Sequence, residues 1–347
     1  MTQSNEHLIN QPLERRTLIK SAGLGLVASG LAAAISAQNA SAAAEGGEIW
    51  SSESWTKKGD VPLGMFRQRV GAPKAGEPSK PVLFFVHGSS VTSRCFDINV
   101  APGHGEYSVM NEFARYGFDC WTMDHENYGK SGRTSGNSDI KSGVEDLKVA
   151  LDVLAKETGR QKYHFLGESA GAIRAGAFAE VMPDRVDRLV LAAFTYKGEG
   201  APTIAKRAEQ LDYYRTHNMR KRDREMIRSI ATRDKPGTSE LIAVEALADA
   251  EMPFGDQVPT GTYLDMTSKM PQVDPKKVVV PTLVISGQYD GNSTVADLQE
   301  FYGQLPNGDR QLIILPGVAH SVVLATNRQL FWHATKAFLT MPTPIST

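Results

Sequence analysis

From Pro81 onward, short runs of consecutive apolar residues alternate with stretches whose apolar positions recur at helical spacing. That alternation is the pattern of a parallel sheet wrapped by helices. The runs predict buried strands over Val82–His87, Asp119–Asp124, Tyr163–Gly167, Val186–Ala193, Val278–Ser286 and Gln311–Leu315. Upstream, Glu48–Trp55 and Leu63–Val70 read as an antiparallel lead-in pair, which brings the expected sheet to eight strands. Val144, Leu147, Leu151 and Leu154 share one helical face, and Gly159 supplies a stop, so Val144–Thr158 is predicted helical.

The pattern breaks once. Between Ala193 and Val279 lie more than eighty residues of helical character with no convincing strand, a length that marks a functional insertion rather than a loop. Its charge is uneven: Lys206–Lys235 holds ten basic and five acidic residues, whereas Pro236–Asp265 holds six acidic and no basic ones. Such runs read first as solvated faces pairing across the insertion, with anion binding as the lesser reading. Tyr213, Tyr214, Met219, Met226 and Phe254 are candidate pocket residues there, and equally candidates for the insertion's own core.

Ahead of the fold, Arg15-Arg16 precedes a Gly/Ala-rich apolar run to about Ala37, and Ala40-Ser41-Ala42 offers a small-residue cleavage pattern. Residues 1–44 are therefore expected to be an export signal, resembling the twin-arginine type although Glu14 and Leu18 depart from its usual residues; an ordinary secretory route stays open. The run is barely long enough to span a bilayer, so no stable membrane anchor is expected, and a periplasmic or secreted protein is. Cys95 and Cys120 have no metal or redox spacing and are expected as two buried free thiols, with a single disulfide as the alternative. A formal net charge of -1 supplies no overall field toward nucleic acid or anionic membranes, which leaves a small, roughly neutral substrate as the default.

The chemistry concentrates at Gly167-Glu168-Ser169-Ala170-Gly171, where a strand runs into a helical stretch, Ala170–Val181. A G-x-S-x-G string in that context holds its serine on a sharp turn, and the flanking glycines are needed because the turn crowds its neighbours. Serine needs a base within reach and an acid to orient that base. Asp290 stands just past the strand ending at Ser286, and His320 just past the one ending at Leu315, so Ser169, Asp290 and His320 are the expected nucleophile, acid and base. Two backbone N–H groups must face the developing oxyanion. Ala170 is expected to supply one and Ser89, in His87-Gly88-Ser89-Ser90, the other, with Ser90 as the substitute and His87 as a structural residue of that turn.

With these residues in that order, the chain from about Pro81 to its C-terminus resembles the α/β-hydrolase superfamily with a cap domain. The resemblance implies an α/β-hydrolase fold, a mostly parallel eight-stranded sheet flanked by helices, with core residues 45–193 and 279–347 and a helical cap over 194–278. Asp124-His125-Glu126-Asn127-Tyr128-Gly129-Lys130-Ser131 is similar to a family turn in which a glycine usually stands at the place of Asn127. Some relatives take the acid from the strand before the cap, which nominates Glu199 as the alternative to Asp290. The implied activity is hydrolysis of a small-molecule ester or lactone through an acyl-enzyme. Acyl transfer, amide or carbon–carbon cleavage by the same triad, and a non-catalytic binding role, stay open. No cofactor is required, and no pair among His87, His104, His125, Asp124 and Glu126 has a metal-ligand spacing.

Overall fold

A computed structural model describes residues 47–342 and 344; the expected export signal, 1–44, lies outside them. The sheet has eight strands: β1 (Ile49–Lys58), β2 (Val61–Val70), β3 (Val82–Val86), β4 (Asp119–Met123), β5 (Tyr163–Glu168), β6 (Val186–Ala192), β7 (Thr282–Gly287) and β8 (Arg310–Leu315). Their spatial order is β1-β2-β4-β3-β5-β6-β7-β8. The β1 and β2 strands are antiparallel, as is the β2/β4 pairing, and every later pairing is parallel.

Period-two alternation sorts the central strand between two cores. In β3, Val82, Phe84 and Val86 belong to one buried cluster, and Leu83 and Phe85 to the other. The first cluster is closed by α2 (Ile140–Thr158), α3 (Ala170–Val181) and α9 (Val295–Gln304), through Leu147, Ile173 and Phe301. The second is closed by α1 (Val109–Arg115) and α10 (Arg328–Leu339), through Phe113, Phe331 and Phe338. Burial on both faces explains why these strands read as unbroken apolar runs.

Between β6 and β7 the chain forms five α-helices, α4 (Pro202–Ala208), α5 (Leu211–Thr216), α6 (Arg224–Thr232), α7 (Leu241–Glu251) and α8 (Gly261–Ser268). Contrary to the strand-free expectation, it also contains a short antiparallel pair, Met219–Lys221 with Gln257–Pro259. Three residues a side are too few to show alternation against a helical background. The insertion shares the second core through Ile227, Ala243 and Leu247. A buried ion pair, Arg222 to Glu251 at 2.7 Å, ties it to the core, because Glu251 also accepts bonds from the Thr92 amide (2.8 Å) and hydroxyl (2.9 Å).

Two element boundaries move by four residues. The run at Val278 is not yet strand: Pro275–Lys277 forms a 3-10 turn, and β7 begins at Thr282. Val278 and Val280 are apolar because they are buried in the first core. Helix α2 starts at Ile140, four residues before its predicted start, where the Asp139 side chain accepts the Ser142 amide at 2.8 Å.

Candidate active site

Strand β5 ends at Glu168 and α3 begins at Ala170, leaving Ser169 alone on the turn with φ 59° and ψ -124°. Positive φ is costly for a residue with a side chain. The turn is held by the Ser169 amide donating to the Ala192 carbonyl at 2.9 Å. It also requires its glycines. A Cβ on Gly167 would overlap the Gly171 carbonyl, and one on Gly171 would overlap the carbonyl of Val86.

The three residues expected from the sequence converge. The Ser169 hydroxyl lies 2.9 Å from His320 Nε2, and His320 Nδ1 lies 2.8 Å from Asp290 Oδ1. Asp290 is further engaged: its Oδ1 accepts the Asn292 amide and its Oδ2 accepts the Ser286 hydroxyl, both at 2.9 Å. Burial pushes this carboxyl up, but the His320 ring and these donors outweigh it and hold it below the usual aspartate range. An ionised Asp290 fixes the imidazole with its Nδ1 proton toward the carboxylate, which leaves Nε2 free to accept from Ser169. Glu199, the alternative acid, is exposed to solvent.

Ala170 is the first residue of α3, so its N–H has no acceptor within the helix and sits at the positive end of the peptide dipoles. The loop after β3 is oriented by two buried rings. His87 Nε2 accepts the His125 amide at 3.1 Å, so its proton is on Nδ1, which donates to the Gly88 carbonyl at 2.9 Å. Tyr128 donates to the Ser89 carbonyl at 2.7 Å. In a trans peptide the N–H opposes the preceding C=O, so the amides of Ser89 and Ser90 are turned away from these rings. Burial above all, with the neighbouring His125 ring and the Arg174 charge, keeps His87 well below its ordinary pKa, hence neutral. It is the structural residue expected.

The turn after β4 is a second support. Asn127, which stands where the turn it resembles in the sequence has glycine, has φ 68°, a conformation asparagine tolerates. Its side chain accepts the Thr134 amide at 2.7 Å and donates to the Gly136 carbonyl at 2.8 Å.

Several features of the site were not legible. The Asn292 Nδ2 lies 3.1 Å from His320 Nε2. Glu168, the variable position of the pentapeptide, is buried beside the nucleophile with Oε1 unpartnered, and burial pushes its carboxyl up to about 7. Asp234, from the insertion, gathers with Asp290 and His320, their donor atoms within 4.8 Å of one another. Two of those three already bond to each other. Cys95 and Cys120 are buried free thiols, both pushed well up by burial.

Ser169, His320, Gly88, Ser89 and Glu168 line a cavity of about 40 Å³, roofed from the insertion by Arg207, Ile230, Arg233 and Leu247. Arg207, Ile230 and Arg233 also line a neighbouring cavity of about 230 Å³, with Tyr214, Met226 and Arg220. Of the five candidate pocket residues, Tyr214 and Met226 are thus at a cavity, whereas Tyr213 stacks on His217.

The topology and this site define a hydrolase of the α/β-hydrolase fold. A family model described as serine aminopeptidase, S33, matches residues 77–327, more than half of the chain, and the chain belongs to that family. A probable lipase of Schizosaccharomyces pombe is 24% identical over 131 residues, covering 35% of this chain and 29% of the relative, so the chain spans under a third of that protein. Among solved structures, an α/β hydrolase fold protein from Chitinophaga pinensis superposes with TM-score 0.61 at 16% identity over 84% of this chain and 98% of its own. A hydrolase from Pseudomonas aeruginosa gives TM-score 0.61 at 20% identity, over 83% and 98%. No described helix is long and apolar enough to cross a membrane.

Proposed function

We propose that this hydrolase cleaves a carboxylic ester or lactone through an acyl-enzyme on Ser169. The observation that carries the reading is the relay of 2.8 Å from Asp290 to His320 and 2.9 Å from His320 to Ser169. Attack by the Ser169 oxygen passes its proton to His320 Nε2, and the paired Asp290 carboxylate stabilises the resulting imidazolium. The carbonyl oxygen gains charge facing the amides of Ala170 and Ser89. Collapse expels the alcohol, which takes the proton from His320. Water, deprotonated by the same nitrogen, then attacks the acyl-enzyme and frees the acid. None of these steps calls on a cofactor. Residues 194–278 act as the cap that shapes the acyl or alcohol pocket, and the Arg15-Arg16 segment directs export.

Fluorophosphonate labelling tests the nucleophile: the folded protein should be modified at Ser169, and absence of labelling overturns the reading. A panel of esters and lactones of graded chain length, run against wild type and Ser169→Ala with product analysis, separates hydrolysis from acyl transfer. Fractionation of cells expressing Arg15-Arg16→Lys-Lys tests export.

A further inference from the structure

The basic half of the insertion divides into two populations. Arg224 bonds to Glu245 (3.0 Å) and to Asp249 (2.5 Å), Arg228 pairs with Glu245, and Arg222 pairs with Glu251. These arginines behave as the sequence suggested, pairing across the insertion. Arg207, Arg220 and Arg233 do not. All three line the 230 Å³ cavity, and Arg207 and Arg233 reach the one beside Ser169.

Among the described residues Arg207 and Arg220 have no carboxylate within 4 Å. Among the described residues the Arg207 guanidinium has one hydrogen-bond partner, the Met266 sulfur at 3.9 Å. Both guanidinium groups lie over the Tyr263 ring, at 5.3 and 4.7 Å from its centroid. Arg233 donates to Asn292 Oδ1 at 3.3 Å and lies 3.4 Å from Asp234, yet its Nε is buried without a hydrogen-bond acceptor. Among the described residues only Arg233 of the three has a carboxylate within 4 Å, and Lys206 adds a further cation to the cavity lining. Burial, with repulsion from Arg233, pushes Arg207 down to about 10. Arg207 and Arg220 are half-buried in the cavity wall with no carboxylate to pair with, and two such cations beside reactive groups point to a ligand that supplies the missing charge. The planar guanidinium fork matches a carboxylate.

We propose that the substrate carries an oxyanion, a carboxylate in the first instance, seated on Arg207 and Arg220 while its ester carbonyl lies at Ser169. The inference rests on the serine-hydrolase reading for the bond cleaved, and it replaces the neutral substrate that net charge suggests. Arg207 lines both the cavity at Ser169 and the neighbouring one, so a single ligand can face the nucleophile and the arginine together. The arginines would repel a free amine held at the same place.

Two substrate pairs test it, one for each side of the ester: mono-(4-nitrophenyl) adipate against its methyl ester, and 4-acetoxybenzoate against its methyl ester. In at least one pair the acid should exceed its neutral partner in kcat/KM by about tenfold or more, the range of charge-assisted hydrogen bonds. Arg207→Gln and Arg220→Gln should each bring that ratio toward one, and an unchanged circular dichroism spectrum together with fluorophosphonate labelling of Ser169 reports that each variant folds. Equal or reversed ratios in both pairs, or ratios unchanged in both variants, overturn the proposal. Monomethyl against dimethyl adipate, titrated into Ser169→Ala, asks the same question without turnover: tighter binding of the acid, lost in the double variant with Arg207→Gln, supports the anion site. Equal binding overturns it. If the acid binds tightly and no ester is cleaved, the hydrolytic reading fails and the anion site stands.

Discussion

Asn292 holds His320 by the same nitrogen that faces the nucleophile: its Nδ2 is 3.1 Å from Nε2, which in turn is 2.9 Å from the Ser169 hydroxyl. Its orientation is fixed from the insertion, because Arg233 can only donate and so claims Oδ1, at 3.3 Å. The Asn292 backbone amide meanwhile donates to Asp290. One residue thus touches acid, base and insertion. In Asn292→Asp a carboxylate replaces the donor and favours the protonated imidazole. The acid limb of the kcat/KM profile is expected to move to higher pH than in the wild type. An unmoved limb would leave Asn292 with packing alone.

The acid assignment separates cleanly in kinetics. Asp290→Asn should lower kcat by about 10⁴-fold, the scale for loss of an orienting carboxylate, while Glu199→Gln stays within a few-fold of wild type. The opposite pattern in steady-state assays would move the acid to the strand before the insertion.

Glu168 makes stability depend on pH. Burial is the main cause of its rise to about 7; the Asp290 charge adds to it, and the amides of Val323 and Val322 oppose it. A carboxyl with a folded pKa above its unfolded value binds more protons folded than unfolded between the two, so its contribution falls as pH rises from about 4.5 to about 7 and stays low beyond. Glu168→Gln should therefore melt close to wild type at pH 4.5 and be more stable at pH 8, by on the order of 3 kcal/mol. Melting curves that differ by the same amount at both pH values would contradict this.

Gly171→Ala tests the elbow. Its new methyl group would meet the Val86 carbonyl, a backbone atom that cannot rotate away. A loss of about 3 kcal/mol or more in denaturant unfolding is expected, or no folded protein, whereas Ala170→Gly leaves the turn intact and costs about 1 kcal/mol. A Gly171→Ala protein of normal stability would mean that the turn relaxes.

The central strands were readable because they are buried on both faces and carry their signal in consecutive apolar residues, as in Val82-Leu83-Phe84-Phe85-Val86. Ser169, Asp290 and His320 were readable because each sits just past a strand end. Asn292 gave no such signal, being one polar residue in a loop, and Glu168 occupied the position where any residue is allowed. The arginines were visible as a charge run, but charge composition alone does not say which side chains find a carboxylate. That sorting needs Glu245, Asp249 and Glu251 in place on α7, which leaves Arg207 and Arg220 unmatched.

The two buried cysteines bear on how the protein matures. With only Cys95 and Cys120 in the whole sequence and neither joined to the other, the described fold closes through packing, hydrogen bonds and ion pairs. Its assembly needs no oxidant and no disulfide-exchange catalyst, so the chain can reach the same end state in a reducing or an oxidising compartment, and thiol reductants should leave its melting temperature where it was.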